Sequence, residues 1–522
     1  MKRLILCCDG TWNNPEQEEN GIPCPTNVYK ISNAIASSDG DIEQLIYYHP
    51  GVGGEGSISG EGGVLAPLLG GALGVGIRRH LCSAYYWIAK HYQPGDQIYL
   101  FGFSRGAFTA RSLSEFLGLG LLDLTGLSEQ EAWARVHKSH DGGYQSFNEN
   151  PPPLVESVGA DWAFFESGQP LPIRFVGVWD TVGALGIPDD LEFLNLFDDK
   201  DNWRFYDDTI GAHVQTGRHA MAMDEKRSCF TVTHWSNAAT HNDAKELWFP
   251  GVHSDVGGGY SDSALADGAL QWMIKEASLC GLMFRLGVLE QLHPDSCGLL
   301  HDSFKGIFAK LRSRPRNVAG MVTENKTAFH DSAIERQLAS PITYPPYWKT
   351  RMLKAGESVT VDVFADQRWN NLGLYVGEGQ QFTFSAEGEW VDGKDSCPWT
   401  GTEDSKLTLG DMARAASSFF GKFESVFKKL SHNDSADLAY TKRIESLPWF
   451  CMVGAIANDG DAAFAMHNDG SPSPHQTMAL PDFQNTPLTV QKPGYFYCFA
   501  NDVWSLYGNN KGSIRLTVHC LA

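Results

Sequence analysis

Gln97-Ile-Tyr-Leu-Phe-Gly-Phe-Ser-Arg-Gly-Ala-Phe-Thr-Ala-Arg111 is the stretch from which the fold is read. Residues 98–101 are a short apolar run of β-forming side chains, and residues 107–117 continue with helical spacing. Between them Gly102-Phe-Ser-Arg-Gly106 sets a serine at the apex of a sharp strand-to-helix turn, with a glycine two residues to either side. A turn of this kind is strained at the serine, and a side chain at either glycine would strike neighbouring backbone. The serine oxygen is thereby held clear of the sheet, beside a helix N-terminus whose N–H groups can face a developing oxyanion. The five-residue pattern by itself also describes an ordinary Gly-Ser turn. The strand before it and the helix after it make Ser104 a candidate nucleophile.

Outward from this turn, strands and helices alternate. Strands are expected at 3–8, 44–48, 98–101, 173–179, 230–235 and 246–249, and helices at 27–36, 78–92, 127–138, 209–222 and 262–280. That order specifies an α/β domain with a mainly parallel sheet, the α/β-hydrolase class given the serine turn. The glycine-rich segment 50–76 lacks the Gly-Lys-Ser/Thr ending of a phosphate loop and reads as a loop wrapping near a site. Residues 139–170 read as a polar insertion. Near Ser340 the character changes. Pro341-Ile-Thr-Tyr-Pro-Pro-Tyr347 reads as a linker, and beyond it short β runs separated by Gly, Asn and Asp turns indicate an all-β sandwich. The expected division is therefore 1–348 and 349–522, with a helical insertion at about 394–446. The 412–430 part of it is amphipathic, with Phe419, Phe420, Phe423, Val426 and Phe427 on one face.

Composition limits the function. A chain of 522 residues exceeds one ordinary domain, and 42% hydrophobic content is ample for two cores. With 41 basic against 62 acidic residues the net charge is −21, which argues against a nucleic-acid partner and suits divalent cations. The eleven cysteines show neither metal spacing nor a disulfide framework. After Met1-Lys-Arg only a strand's length of apolar residues precedes Asp9, so no signal peptide is visible and synthesis in the cytoplasm is expected.

A serine hydroxyl needs a base to take its proton, and the base needs a third group to hold it. In this fold class the chain order is Ser, then Asp or Glu, then His. Asp180 stands directly after a later strand, and His253 lies in the glycine-bounded loop Pro250-Gly-Val-His-Ser-Asp-Val-Gly-Gly-Gly259. His241 is the rival base and Asp255 the rival acid, the latter better suited to bracing its own loop. Two backbone donors should face the oxyanion: the N–H of Arg105, and one from Gly10 or Thr11 in the turn after the first strand. Asp9 reads as a structural acceptor in that turn. No metal or cofactor is expected in the catalysis itself.

Five ordered stretches resemble one family: Cys8-Asp-Gly-Thr-Trp-Asn13, Gly102 to Arg111 as quoted, Val178-Trp-Asp-Thr-Val-Gly183, Arg218-His-Ala-Met-Ala-Met-Asp-Glu-Lys-Arg227 and Trp248 to Gly259. This is the α/β-hydrolase group that includes the first class of type VI secretion lipase effectors. The resemblance covers roughly residues 1–340. It implies a Ser104–Asp180–His253 triad, phospholipase A activity on bacterial membranes, and delivery by a type VI system into the periplasm of a target cell. A spike protein and an immunity protein are the implied partners.

The second half carries its own resemblance. Val363-Phe-Ala-Asp366, Phe384-Ser-Ala-Glu-Gly388, Phe450-Cys-Met-Val-Gly454 and especially Asn501-Asp-Val-Trp-Ser-Leu-Tyr-Gly-Asn-Asn-Lys-Gly-Ser513 resemble the PA-I type of calcium-dependent galactophilic lectin. The match implies Ca2+ held by side chains of Asp502, Asn509 and Asn510 and by carbonyls of Leu506 and Asp392, a hard-oxygen set. The long insertion falls where that lectin keeps further sugar contacts, so Ca2+ is expected more than galactose. The reading is a serine ester hydrolase acting on phospholipid, with a lectin-like appendage. The alternatives are a glycan-binding protein on a hydrolase scaffold, or an esterase of carbohydrate or small esters.

Overall fold

The computed structural model describes residues 1–522 except 12, 52–71, 145–151, 160, 184–207, 306–312, 348, 403–442, 445, 459, 461–474 and 505. Most of the glycine-rich loop and all of the amphipathic 412–430 stretch therefore lie outside the described residues, as do residues 145–151 and 160 of the 139–170 insertion.

The first half is built on a seven-stranded sheet. Its strands are β1 (Arg3–Cys8), β2 (Ser38–Asp39), β3 (Ile42–His49), β4 (Gln97–Phe103), β5 (Phe175–Trp179), β6 (Gly217–Ala222) and β7 (Ala244–Phe249), in the order β2-β3-β1-β4-β5-β6-β7. All neighbours pair in parallel except the short edge strand β2. Period-2 alternation divides the side chains between two apolar layers. Leu4, Leu6, Ile98 and Leu100 face one way, towards helices α2 (Ala72–His91) and α3 (Arg105–Gly118). Ile5, Cys7, Tyr99 and Phe101 face the other, towards α1 (Asn27–Ala34) and α6 (Ala264–Leu279). Helix α4 (Glu129–Ser139) adds to the first layer, and the five-residue α5 (His253–Gly257) follows β7.

Two expectations fail in this half. Residues 217–222 form β6, not the end of a helix. Alanine and methionine there suggested helix, but all six residues are buried in mid-sheet. The polar ones are paired: Arg218 with Glu276 (2.5 Å) and Asp243 (2.8 Å), His219 with Glu246 (2.8 Å). Residues 230–235 are not a strand either. Their carbonyls at Thr233 and His234 accept from the Arg111 guanidinium (2.6 and 3.0 Å), and Thr233 N–H donates to Thr181 O. The segment lines the turn after β5 instead of extending the sheet.

The second half comprises two four-stranded antiparallel sheets. One contains β8 (Ser358–Phe364), β10 (Gln381–Glu387), β15 (Leu488–Thr489) and β18 (Ser513–Cys520). The other contains β9 (Asn370–Val376), β13 (Met452–Ala457), β14 (Gln476–Ala479) and β16 (Gly494–Ala500). Val363, Phe384, Trp390, Met452, Phe496 and Leu516 meet between them in one core. A three-stranded ribbon joins β11 (Trp390–Asp392), β12 (Asp395–Cys397) and β17 (Asn510–Lys511). Residues 341–347 are no slack tether: Tyr344 O accepts from Arg336 (2.9 Å) and Tyr347 Oη donates to Asp224 (2.9 Å). Met221, Trp248 and Phe329 pack with Tyr375, Ala457 and Tyr495, so the halves share an apolar contact.

Candidate active site

The carboxyl ends of β1, β4, β5 and β7 converge at one rim of the sheet, where parallel α/β sheets assemble their sites. Ser104 sits between β4 and α3 with φ 57° and ψ −124°, a backbone region that L-residues avoid. Its surroundings enforce that conformation. A Cβ at Gly102 would strike Gly106 O, and one at Gly106 would strike Cys8 O and Asp9 O. The Ser104 N–H donates to Trp179 O (3.0 Å), the residue before Asp180.

Asp180 is fully buried, also at positive φ (39°), with every lone-pair direction used. Oδ1 accepts from Ala222 N–H (2.8 Å) and Arg316 Nη1 (2.6 Å); Oδ2 accepts from Arg316 Nη2 (2.9 Å) and His253 Nδ1 (2.5 Å). Burial alone would raise its pKa, but the Arg316 charge and the His253 contact outweigh burial and hold the carboxyl well below the usual range. His253 is 4% exposed, packed between the Phe103 and Phe230 rings at 4.5 and 4.8 Å. Burial pushes its pKa down against the opposing pull of Asp180, which favours the neutral imidazole. With Nδ1–H given to Asp180, Nε2 is left as a base. Ser104 Oγ has no hydrogen-bond partner among the described residues, and the Ser104–His253 bond is not formed.

The other candidates separate cleanly. His241 accepts from Asp243 N–H and bonds Val214 O, at the far end of β7. Asp255 braces its loop through Val252 N–H (3.0 Å) and holds His301 at 2.6 Å. Asp9 accepts from Thr26, Tyr48 and Gly10 N–H, each at 2.7 Å. Burial pushes that carboxyl up to about 6 against those bonds. Thr26 also caps α1 through Tyr29 N–H, a contribution of about 1 kcal/mol. The Gly10 N–H, one of the two candidate oxyanion donors expected in this turn, is engaged by Asp9 Oδ1. Thr11 remains beside it, with Oγ1 buried and without a partner among the described residues. A Cβ built on Gly10 would lie 3.3 Å from Ser104 Cβ, so this turn adjoins the serine. Arg105 opens α3, where backbone N–H groups have no acceptor inside the helix.

Sequence reasoning missed Arg316, Glu225 and the His219–Glu246 pair. Glu225 accepts from His253 N–H (3.2 Å) and pairs with Arg227 (2.8 Å). His219 Nε2 accepts from Thr181 N–H (3.1 Å), bracing the residue after Asp180. Glu225 and His219 lay within a quoted motif without an assigned role. Arg316, in Ser313-Arg-Pro-Arg-Asn317, carried no signal at all. A cleft of about 370 Å3 opens beside Val252 and Glu225, walled from the second half by Tyr495 and Tyr497.

In the second half the residues of the expected Ca2+ set lie together. Asn510 Nδ2 donates to Asp502 Oδ2 (2.8 Å), Asn509 Nδ2 to Asp392 Oδ1 (2.7 Å), and Asn509 N–H to Leu506 O (3.2 Å). Burial pushes Asp502 up to about 6.

Residues 2–276 match the family model described as T6SS, Phospholipase effector Tle1-like, catalytic domain. An uncharacterized protein of Saccharomyces cerevisiae, YEL023C, is 34% identical over 250 residues, covering 44% of this chain and 33% of its own length. An uncharacterized Pseudomonas aeruginosa protein of known structure is 19% identical, with TM-score 0.31, over 55% of this chain and 47% of that one. The structure of the Tle1 effector bound to the VgrG spike from the type VI secretion system gives 17% identity and TM-score 0.27, over 50% and 51%. The chain thus spans about a third to a half of the length of these relatives. By the match across more than half of its residues, the chain belongs to the family of Tle1-like phospholipase effectors of the type VI secretion system.

Proposed function

We propose that the chain is a serine ester hydrolase of the α/β-hydrolase fold, a phospholipase A, that works through a Ser104–His253–Asp180 triad and an acyl-enzyme. The observation that carries the reading is the strained Ser104 at a strand-to-helix turn, its N–H bonded to Trp179 O beside Asp180, with a buried His253 packed on the adjacent Phe103 ring and its Nδ1–H held by Asp180. When an ester carbonyl enters, Ser104 Oγ attacks its carbon and His253 Nε2 takes the hydroxyl proton. The catalytic Ser–His bond commonly tightens only with substrate bound. The oxyanion is met by the Arg105 N–H and by Thr11. Collapse breaks the acyl C–O bond, and His253 returns its proton to the departing lysophospholipid oxygen. Water, deprotonated by the same imidazole, then attacks the acyl-serine carbonyl, releasing the fatty acid and restoring Ser104. Asp180 stays ionised throughout and stabilises the transient imidazolium.

Family membership supports delivery by a type VI apparatus, with a membrane phospholipid as substrate and spike and immunity proteins as partners. The second half is read as a lectin-like β-sandwich that directs the enzyme to a surface, with glycan as a secondary ligand. Its residues fit Ca2+: Asn510 Oδ1 is buried without a partner, and the buried Asp502 carboxylate makes no salt bridge, both among the described residues. Asp502, Asn509 and Asn510, with the Leu506 and Asp392 carbonyls, would hold the ion, which would order the loop and offer open positions to hydroxyl oxygens.

Fatty-acid release from phospholipid vesicles by wild type and Ser104→Ala, run beside acetylated sugars, tests the reading. Release by wild type alone is expected. Release that survives the substitution, or turnover of acetylated sugars only, rejects the phospholipase.

A further inference from the structure

Arg316 lies outside every strand and helix, yet it is 7% exposed and its two Nη atoms make four hydrogen bonds. Two go to the two oxygens of Asp180, and two to Ala222 O and Phe230 O. A guanidinium fork of this kind fixes the carboxylate plane as well as neutralising it. With the plane fixed, Oδ2 faces His253 Nδ1 and cannot rotate away.

The segment that carries Arg316 is gripped from the second half of the chain. Trp369 Nε1 donates to Ser313 O and Oγ, both at 3.1 Å. His475 Nε2 bonds Pro315 O at 2.5 Å. Met321 N–H donates to Tyr495 Oη (3.0 Å), and a Cβ on Gly320 would lie 2.7 Å from the Tyr375 ring. Tyr375 and Tyr495 lie in β9 and β16, and Trp369 and His475 immediately precede β9 and β14, so a single sheet supplies the grip. From the first half, Arg314 N–H donates to Lys226 O (2.6 Å).

We propose that Arg316 is the positioning residue for Asp180, and that the C-terminal β half holds it there, so that this half is part of the hydrolytic machinery as well as an address. The proposal rests on the triad reading. It assigns Arg316 no contact with substrate; the guanidinium acts through Asp180 on His253.

The test measures phospholipid turnover against pH by the full chain carrying Arg316→Gln, Arg316→Lys, or Trp369→Phe with Tyr495→Phe, beside Ser104→Ala. Displacing a catalytic group by about 1 Å costs on the order of 100-fold. Arg316→Gln should therefore lose about 10- to 100-fold in kcat with KM nearly unchanged. Without the guanidinium, Asp180 favours the imidazolium more strongly, so the acid limb of the kcat/KM profile should move to higher pH. Arg316→Lys should restore the acid limb more than kcat, because a lysine supplies charge without the fork. The Trp369→Phe, Tyr495→Phe pair should lower kcat in the same direction by a smaller factor. A folded Arg316→Gln with wild-type kcat and acid limb, while Ser104→Ala is inactive, overturns the positioning role. Should Arg316→Gln fail to fold, wild-type kcat in Arg316→Lys overturns it instead. Wild-type kcat in the double variant overturns the role given to the β half. An active Ser104→Ala would strike the triad reading itself, a different failure.

Discussion

Asp180 and Asp502 are both buried carboxylates just beyond the end of a strand, one in each half of the chain, and their surroundings treat them oppositely. Asp180 meets a bidentate arginine, a backbone N–H and an imidazole, and its pKa is held down. Asp502 meets one amide side chain and one backbone N–H (Val503, 2.7 Å), and burial carries its pKa up to about 6. A buried anion with all its partners is a finished component, able to orient a neighbour without further help. A buried anion with too few is incomplete, and a cation arriving from solution would complete it. The difference teaches that burial alone says little about a carboxylate. Its donors decide how far its charge is compensated.

The largest expected contrast is catalytic. Asp180→Asn should lower phospholipid hydrolysis by about 10⁴-fold, since the amide misdirects the imidazole, whereas Asp502→Asn should leave kcat and KM unchanged. Initial rates of fatty-acid release check both, and equal losses would dissolve the contrast. Next comes stability. Arg316→Ala leaves Asp180 buried without its cation and should cost about 3–5 kcal/mol. Asp502→Asn removes a poorly compensated charge and should change stability by about 1 kcal/mol or less. Urea midpoints at pH 7 measure the two.

Calcium gives the third contrast. At a free concentration about 100 times its Kd, Ca2+ should add about 2.7 kcal/mol to the wild type and nothing to Asp502→Asn. The gain should shrink as pH falls below 6, because the ion must displace the Asp502 proton. Thermal unfolding with and without Ca2+ at two pH values reads this out. The smallest effect is the metal-free pH dependence. Asp502 has a folded pKa above its unfolded one, so its stability contribution is full below about pH 4 and is lost as pH rises through about 6. Asp180 has the opposite sign: its contribution is present above about pH 4 and disappears only as pH falls through its depressed folded pKa. Asp502→Asn should flatten the fall between pH 4 and 6 and leave the acid side intact.

Local pattern carried the reading wherever structure follows from local pattern. The turn around Ser104 declared itself through Gly102 and Gly106, whose missing side chains the backbone at Cys8, Asp9 and Gly106 requires. Asp180 and His253 were placed by strand ends and chain order. β6 was misread because Ala220, Met221 and Ala222 favour helix in isolation, whereas burial on both faces decided their state. Gly10 and Thr11 were offered together from their position after the first strand, and the Asp9 carboxylate that takes the Gly10 N–H could be seen only in three dimensions. Arg316 was illegible for the same reason. It reaches Asp180 across 136 residues from a loop with no periodicity, held by contacts from a still later segment.

A fluorophosphonate probe tests the central claim most directly, because it forms a P–O bond with an activated serine and expels fluoride. The full chain should take up one equivalent, mapped by mass spectrometry to Ser104, and the labelling rate should collapse in His253→Ala. An adduct on another serine, or labelling of Ser104 at an undiminished rate without His253, would contradict the account.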